Sequence, residues 1–154
     1  MKKMVLMIIV LAVSAPLFAQ SEADVMEMTR EVVRAERKAL VAANMELNEA
    51  ESQRFWPVYN EYQNEVRKIG DRRLKLLQSY AYAYENLTDT QAEAFLKESM
   101  EIQKAKLELQ ESFVPKFREV LSPKTVARFY QIDHKLDAII EYDLAAEIPL
   151  VMGK

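Results

Sequence analysis

The chain has 154 residues, half of them hydrophobic and 29% charged, with a formal net charge of −3 at pH 7, enough for one domain with a modest core. Two glycines, Gly70 and Gly153, leave no material for a Gly-rich phosphate loop or a dinucleotide-binding turn. The lack of cysteine removes thiol catalysis, thiolate metal sites and disulfides, and the mild acidity disfavours nucleic acid as a partner.

Residues 1–19 have the layout of a secretory signal: Lys2 and Lys3, an apolar run from Met4 to Val13, and Ser14 to Ala19 before Gln20. Cleavage is expected after Ala19, which places the mature protein in the bacterial periplasm. The apolar run is shorter than the ~20 residues a spanning helix needs, so no stable membrane insertion is expected after cleavage. Three parts follow: a signal peptide over 1–19, a helical domain over 20–142, and an apolar tail over 143–154.

From about Asp24 to Asn44, apolar residues at Val25, Met28, Val32, Val33, Ala39 and Leu40 recur with helical spacing and predict an amphipathic first helix. A second helix is predicted from Asn48 to about Glu85. Its seam, Phe55, Tyr59, Tyr62, Val66, Ile69, Leu76, Tyr80 and Ala83, alternates steps of four and three, the coiled-coil period, with Arg73 as the one polar break. A third helix from Thr88 carries a matching seam at Phe95, Ser99, Ile102, Lys106, Leu109, Phe113, Phe117 and Val120. The short Asn86-Leu87 link folds the two into an antiparallel hairpin, in which residues whose numbers add to about 174 lie level. That register sets Pro57 beside Pro115 and Arg73 near Glu101. A fourth helix, Ser122 to about Tyr142, is expected to pack through Val126, Phe129, Ile132, Leu136, Ile139 and Ile140 onto an aromatic cluster of Phe55, Trp56, Tyr59, Phe113, Phe117 and Tyr130. One hairpin with two flanking helices has too little mass to cover both its apolar sides, which predicts a homodimer.

The helix starts repeat. Leu47-Asn48 with Glu51 and Leu87-Thr88 with Gln91 are capping boxes, and Leu121-Ser122-Pro123 is a Ser cap with Pro at the first helical position. Each leading Leu is placed to staple the chain onto the new helix.

These Leu-Thr-x-x-Gln-like starts, together with the export signal, resemble the Spy/CpxP family of periplasmic stress proteins over about Glu31 to Tyr142. Phe55-Trp56-Pro57-Val58-Tyr59 and the closing stretch from Tyr142 to Val151 look like an uncharacterised branch related to it. The resemblance implies an all-α cradle formed by an antiparallel dimer that binds unfolded or stress-damaged envelope proteins without ATP. Some relatives instead bind an envelope stress sensor, or sense metal. This chain is acidic where the better-known chaperones present a positive concave face, and it lacks the His and Cys of the metal-sensing members. The expected function is therefore an ATP-independent periplasmic chaperone, with a regulatory accessory or a structural envelope protein as alternatives.

Arg67, Lys68, Arg72, Arg73 and Lys75 form the densest basic run, suited to acidic client segments, although such residues on a long helix are usually a solvated face. Tyr82 lies on the helix face opposite Tyr80 and Tyr84 and is a candidate contact residue. His134 is the only histidine, and Gln131-Ile132-Asp133-His134 lacks the Glu-x-x-His of a di-iron bundle; Met26 and Met28 offer thioethers of the kind that bind Cu(I), but such residues more often fill apolar gaps. Neither is taken as a metal site. No nucleophile, base and orienting group can be assembled, so no enzyme and no cofactor is expected. In the tail, Leu144, Ile148, Leu150 and Val151 are expected to dock back onto the domain.

Overall fold

The computed structural model describes residues 22–152, with side chains from residue 31 onward. The expected signal segment and the side chains of Met26 and Met28 lie outside the described residues. The fold is all-α: α1 is Glu22–Met45, α2 Glu49–Ala83, α3 Asp89–Val120 and α4 Pro123–Glu147, with a 3-10 turn at Tyr84–Asn86 and no strand among the described residues. The chain divides between Glu36 and Arg37 into two compact units. In the first, Arg34 pairs with Glu31 one turn earlier at 3.7 Å.

The caps form as their sequence requires. Asn48 accepts from the Glu51 amide at 2.9 Å while the Glu51 carboxylate accepts from the Asn48 amide at 3.1 Å. Thr88 and Gln91 repeat the exchange at 3.3 and 3.0 Å, and Ser122 accepts from the Thr125 amide at 3.2 Å. Each box satisfies donors that the first turn otherwise leaves open. Leu121 and Val126, both buried, join the core on either side of the Ser122 cap as a hydrophobic staple.

Helices α2 and α3 form the antiparallel hairpin in the expected register. Tyr62 meets Phe113 with ring centroids 5.3 Å apart, Phe55 meets Phe117 at 5.8 Å, and Tyr80 meets Phe95 at 5.7 Å. Lys116 pairs with Glu61 at 2.5 Å across the same seam. Pro57 and Pro115 lie inside their helices at one level. Helix α2 alone, with 35 residues, is about 52 Å long at 1.5 Å per residue.

The core sits at the open end of this hairpin, where α1 and α4 cover it. Phe117 and Phe129 approach to 4.6 Å, and Tyr62 stacks edge-on against both Phe117 and Phe129. Rings in such tilted and T-shaped contacts combine area burial with favourable quadrupole geometry. Burial of each large side chain contributes about 1.5–3 kcal/mol.

Five expectations need correction. On α1 the buried face runs through Val41 and Met45, whereas Val32, Val33, Ala39 and Leu40 are exposed. On α4, Val126 and Phe129 are buried and Ile132 and Leu136 half-buried, but Ile139 is 60% exposed and Ile140 is also exposed. In both helices a charged residue, Arg37 on α1 and Asp133 on α4, continues the inward face where an apolar one was sought. Arg73 pairs with Glu141 of α4, and the neighbouring Arg72 takes Glu98 of α3 at 2.5 Å; Glu101 is not the partner of Arg73. Helix α4 continues to Glu147 and stops where Ile148, restricted by the following Pro149, turns extended with ψ 114°. Finally, only Leu144 and Ile148 of the tail are half-buried, while Leu150 and Val151 are exposed.

The link from α1 to α2 has one feature no sequence rule announced. Glu46 takes a left-handed φ of 54°, a region that side chains other than Gly and Asn enter rarely. Arg128 holds it there, donating to the Asn44 carbonyl and to the Glu46 carboxylate, each at 2.6 Å.

Candidate functional site

Both seams continue past the aromatic core, with Tyr80 still meeting Phe95, and their far halves form one side of a cleft. Beyond Tyr62, α2 offers Val66, Ile69, Leu76 and Tyr80, and α3 offers Phe95 and Ile102, with Gly70 and Ser99 supplying little bulk between them. The end of α4 and the segment Ile148–Val151 lie across the gap. Together they enclose a mostly apolar cleft of 430 Å³. Volume and lining fall in the range of ligand-binding pockets.

Gly70 stands on the wall of this cleft. A Cβ built there would meet nothing within 4 Å, and the residue does not have a positive φ. Neither a close helix contact nor a special backbone angle explains a residue that costs a helix about 1 kcal/mol relative to Ala. What its missing side chain does leave is space in the cleft.

At the core end, the cleft is bounded by Lys106, one member of a charge cluster that joins all four helices. Asp133 is 1% exposed. It accepts from the Arg37 guanidinium at 2.5 Å and from the Tyr62 hydroxyl at 2.8 Å. Asp137 accepts from the same Arg37 nitrogen at 2.9 Å and pairs with Lys106 at 2.8 Å. Two cations thus face two carboxylates, and the cluster is neutral as a unit. Burial opposes the charge of Arg37, but Asp133 and Asp137 outweigh it and raise its pKa. Burial, reinforced by the adjacent Asp133 carboxylate, holds the Tyr62 phenol well above its ordinary range, and Tyr130 is raised for the same reasons.

The sequence-predicted site residues separate into two groups. Arg73 lines the cleft. Lys68, Arg72, Lys75 and Tyr82 share the roughly opposite face of α2, since they recur at helical spacing away from Ile69, Arg73 and Tyr80. Lys68 pairs with Glu65 at 2.6 Å. The hydrogen bond from Arg72 holds Glu98 below the usual carboxylate range. Arg67 and Lys75 are exposed, and Tyr82 is 96% exposed. The basic run is therefore not one cationic patch. The capping residues Asn48, Glu51, Thr88, Gln91 and Ser122 bond to one another within their own boxes, and Leu47 and Leu121 pack into or against the core; Leu87 is half-buried.

His134 is exposed and contacts Tyr130 ring to ring at 6.2 Å. Among the described residues, no three acidic or His side chains are grouped to hold a metal ion, and no helix is long and apolar enough to cross a membrane. A further apolar stripe, Leu96, Met100 and Leu107, lies on one face of α3 with each residue more than half exposed. Comparison with known protein families, curated proteins and solved structures finds no match to this chain.

Proposed function

We propose that this chain is an ATP-independent, chaperone-like protein of the bacterial envelope that binds unfolded or stress-damaged proteins through apolar surface. The observation that carries the reading is the apolar surface that the far half of the hairpin leaves accessible. The far half of the hairpin lines a 430 Å³ apolar cleft beneath the tail, and the Leu96–Met100–Leu107 stripe on α3 is more than half exposed. Contiguous exposed apolar surface of this kind marks interaction sites. The paired capping boxes, the signal-like residues 1–19 and the hairpin architecture support the Spy/CpxP-like assignment.

The decisive assay is suppression of client aggregation. Stoichiometric mature protein should keep several thermally unfolding clients soluble without nucleotide. Unchanged aggregation across clients and salt concentrations would exclude the reading.

A regulatory accessory of an envelope sensor is the second reading, favoured by the exposed Tyr82, a large side chain that suits contact with one defined partner. Recovery of a single tight partner in a pull-down, with no general client binding, would select it. In either role we propose a homodimer, supported by the exposure of Leu40, Ile139 and Tyr142. Light scattering at tens of micromolar, where even weak interfaces are populated, should report twice the chain mass.

A further inference from the structure

We infer that the cleft lined by α2, α3 and the end of α4 is a binding site for extended apolar peptide segments, and that the chain's own Ile148-Pro149-Leu150-Val151 occupies its rim as a displaceable pseudo-ligand. The inference rests on the reading of the chain as a binder of unfolded proteins and names the chemistry of the bound segment.

The tail itself shows what the cleft accepts. After α4 ends at Glu147, Ile148 turns extended, and the segment crosses the cleft with Ile148 half-buried among its walls. A hydrogen bond from cleft to tail runs from the Tyr80 hydroxyl to the Pro149 carbonyl at 2.9 Å. That contact reads main chain, not side chain, so any extended segment can supply it. Apolar walls with a side-chain hydroxyl at the rim that donates to main-chain carbonyls are suited to unfolded apolar sequence of varied composition.

The tail is also poorly seated. Leu150 is 88% exposed, the 430 Å³ behind the segment remains unfilled, and a second void of 300 Å³ lies beside it against Leu77, Tyr84 and Pro149. Interiors pack far more tightly than this. A neutral hydrogen bond and the half-buried Ile148 seat a segment that a better-filling competitor can displace. Gly70 fits the same account, because its missing side chain leaves room along the cleft wall at the expense of helix stability.

The test uses the full mature chain and a fluorescein-labelled peptide of residues 143–152. In the unmodified chain the tethered tail competes at millimolar effective concentration, so binding should be weak. Ile148→Asp, at a half-exposed site beyond the helix, should release the tail and tighten peptide binding by about tenfold or more, and adding Gly70→Leu should abolish that gain while far-UV circular dichroism stays helical. Equal affinity of the unmodified chain and Ile148→Asp, or binding indifferent to Gly70→Leu, would overturn the inference. A photo-crosslinking peptide with benzoylphenylalanine in place of Leu150 gives an independent readout on the unmodified chain. Adducts on Ile69, Leu76 or Phe95 support the cleft, and adducts confined to Leu96, Met100 and Leu107 reject it. Aggregation suppression that survives Gly70→Leu would reject this site and leave the chaperone reading intact. Peptide capture without any suppression would do the reverse.

Discussion

Tyr62 of α2 donates its hydroxyl proton to Asp133 of α4 across 2.8 Å, inside the core and beside the Arg37 guanidinium that holds the same carboxylate. This contact ties the aromatic cluster to the buried charges. Tyr62→Phe keeps the ring packing and removes one hydrogen bond to a charged acceptor, which should cost about 1.5–3 kcal/mol in urea unfolding.

The same phenol sets an alkaline limit. Its folded pKa is raised above the ordinary value of 10.0, so the protonated form is favoured in the folded state and the contribution is complete below pH 10. As pH rises past 10 the unfolded tyrosine ionises while the folded one does not. Stability should then fall by about 1.4 kcal/mol per pH unit for this one group, and Tyr62→Phe should flatten the decline. An identical slope in both proteins between pH 10 and 11 would contradict the assignment.

Asp133→Ala leaves Arg37 buried with Asp137 as its one remaining anion. Removing one partner of a buried ion pair typically costs about 3–5 kcal/mol. The double replacement Arg37→Met with Asp133→Leu should cost clearly less than the two single changes summed, because it removes both desolvated charges together. Chemical denaturation of the four proteins completes the cycle.

Gly70→Ala should stabilise the chain by about 1 kcal/mol through helix propensity, since the added methyl meets nothing within 4 Å. For a domain of this size the melting temperature should rise by about 2–4 °C. A lower melting temperature would mean that the glycine serves the packing in some other way.

Truncation after Glu147 removes the Tyr80–Pro149 hydrogen bond and the half-burial of Ile148 but keeps α4 whole. The expected loss is small, about 1–2 kcal/mol, read as a modest drop in melting temperature. A loss above about 4 kcal/mol would show a tail far better seated than its exposure indicates.

Helix starts, helix order and hairpin register were legible in the chain because they rest on local chemistry. An Asn48 or Thr88 side chain finds its amide three residues away, a seam with steps of four and three must face a like seam, and a two-residue link must reverse direction. The end of α4 was also written locally, in the restriction that Pro149 places on Ile148, although the loss of apolar period near Tyr142 obscured it. The inward faces of α1 and α4 were not legible. Arg37 and Asp133 look like surface residues until each is seen to neutralise the other, and a buried charge is tolerable only with a partner that sequence distance hides: ninety-six residues separate these two. The cleft likewise depended on tertiary structure, because whether the far half of a seam is filled or left open is decided by where α4 and the tail cross it. Periodicity specifies which residues face inward along a helix; only the assembled helices decide what, if anything, they face.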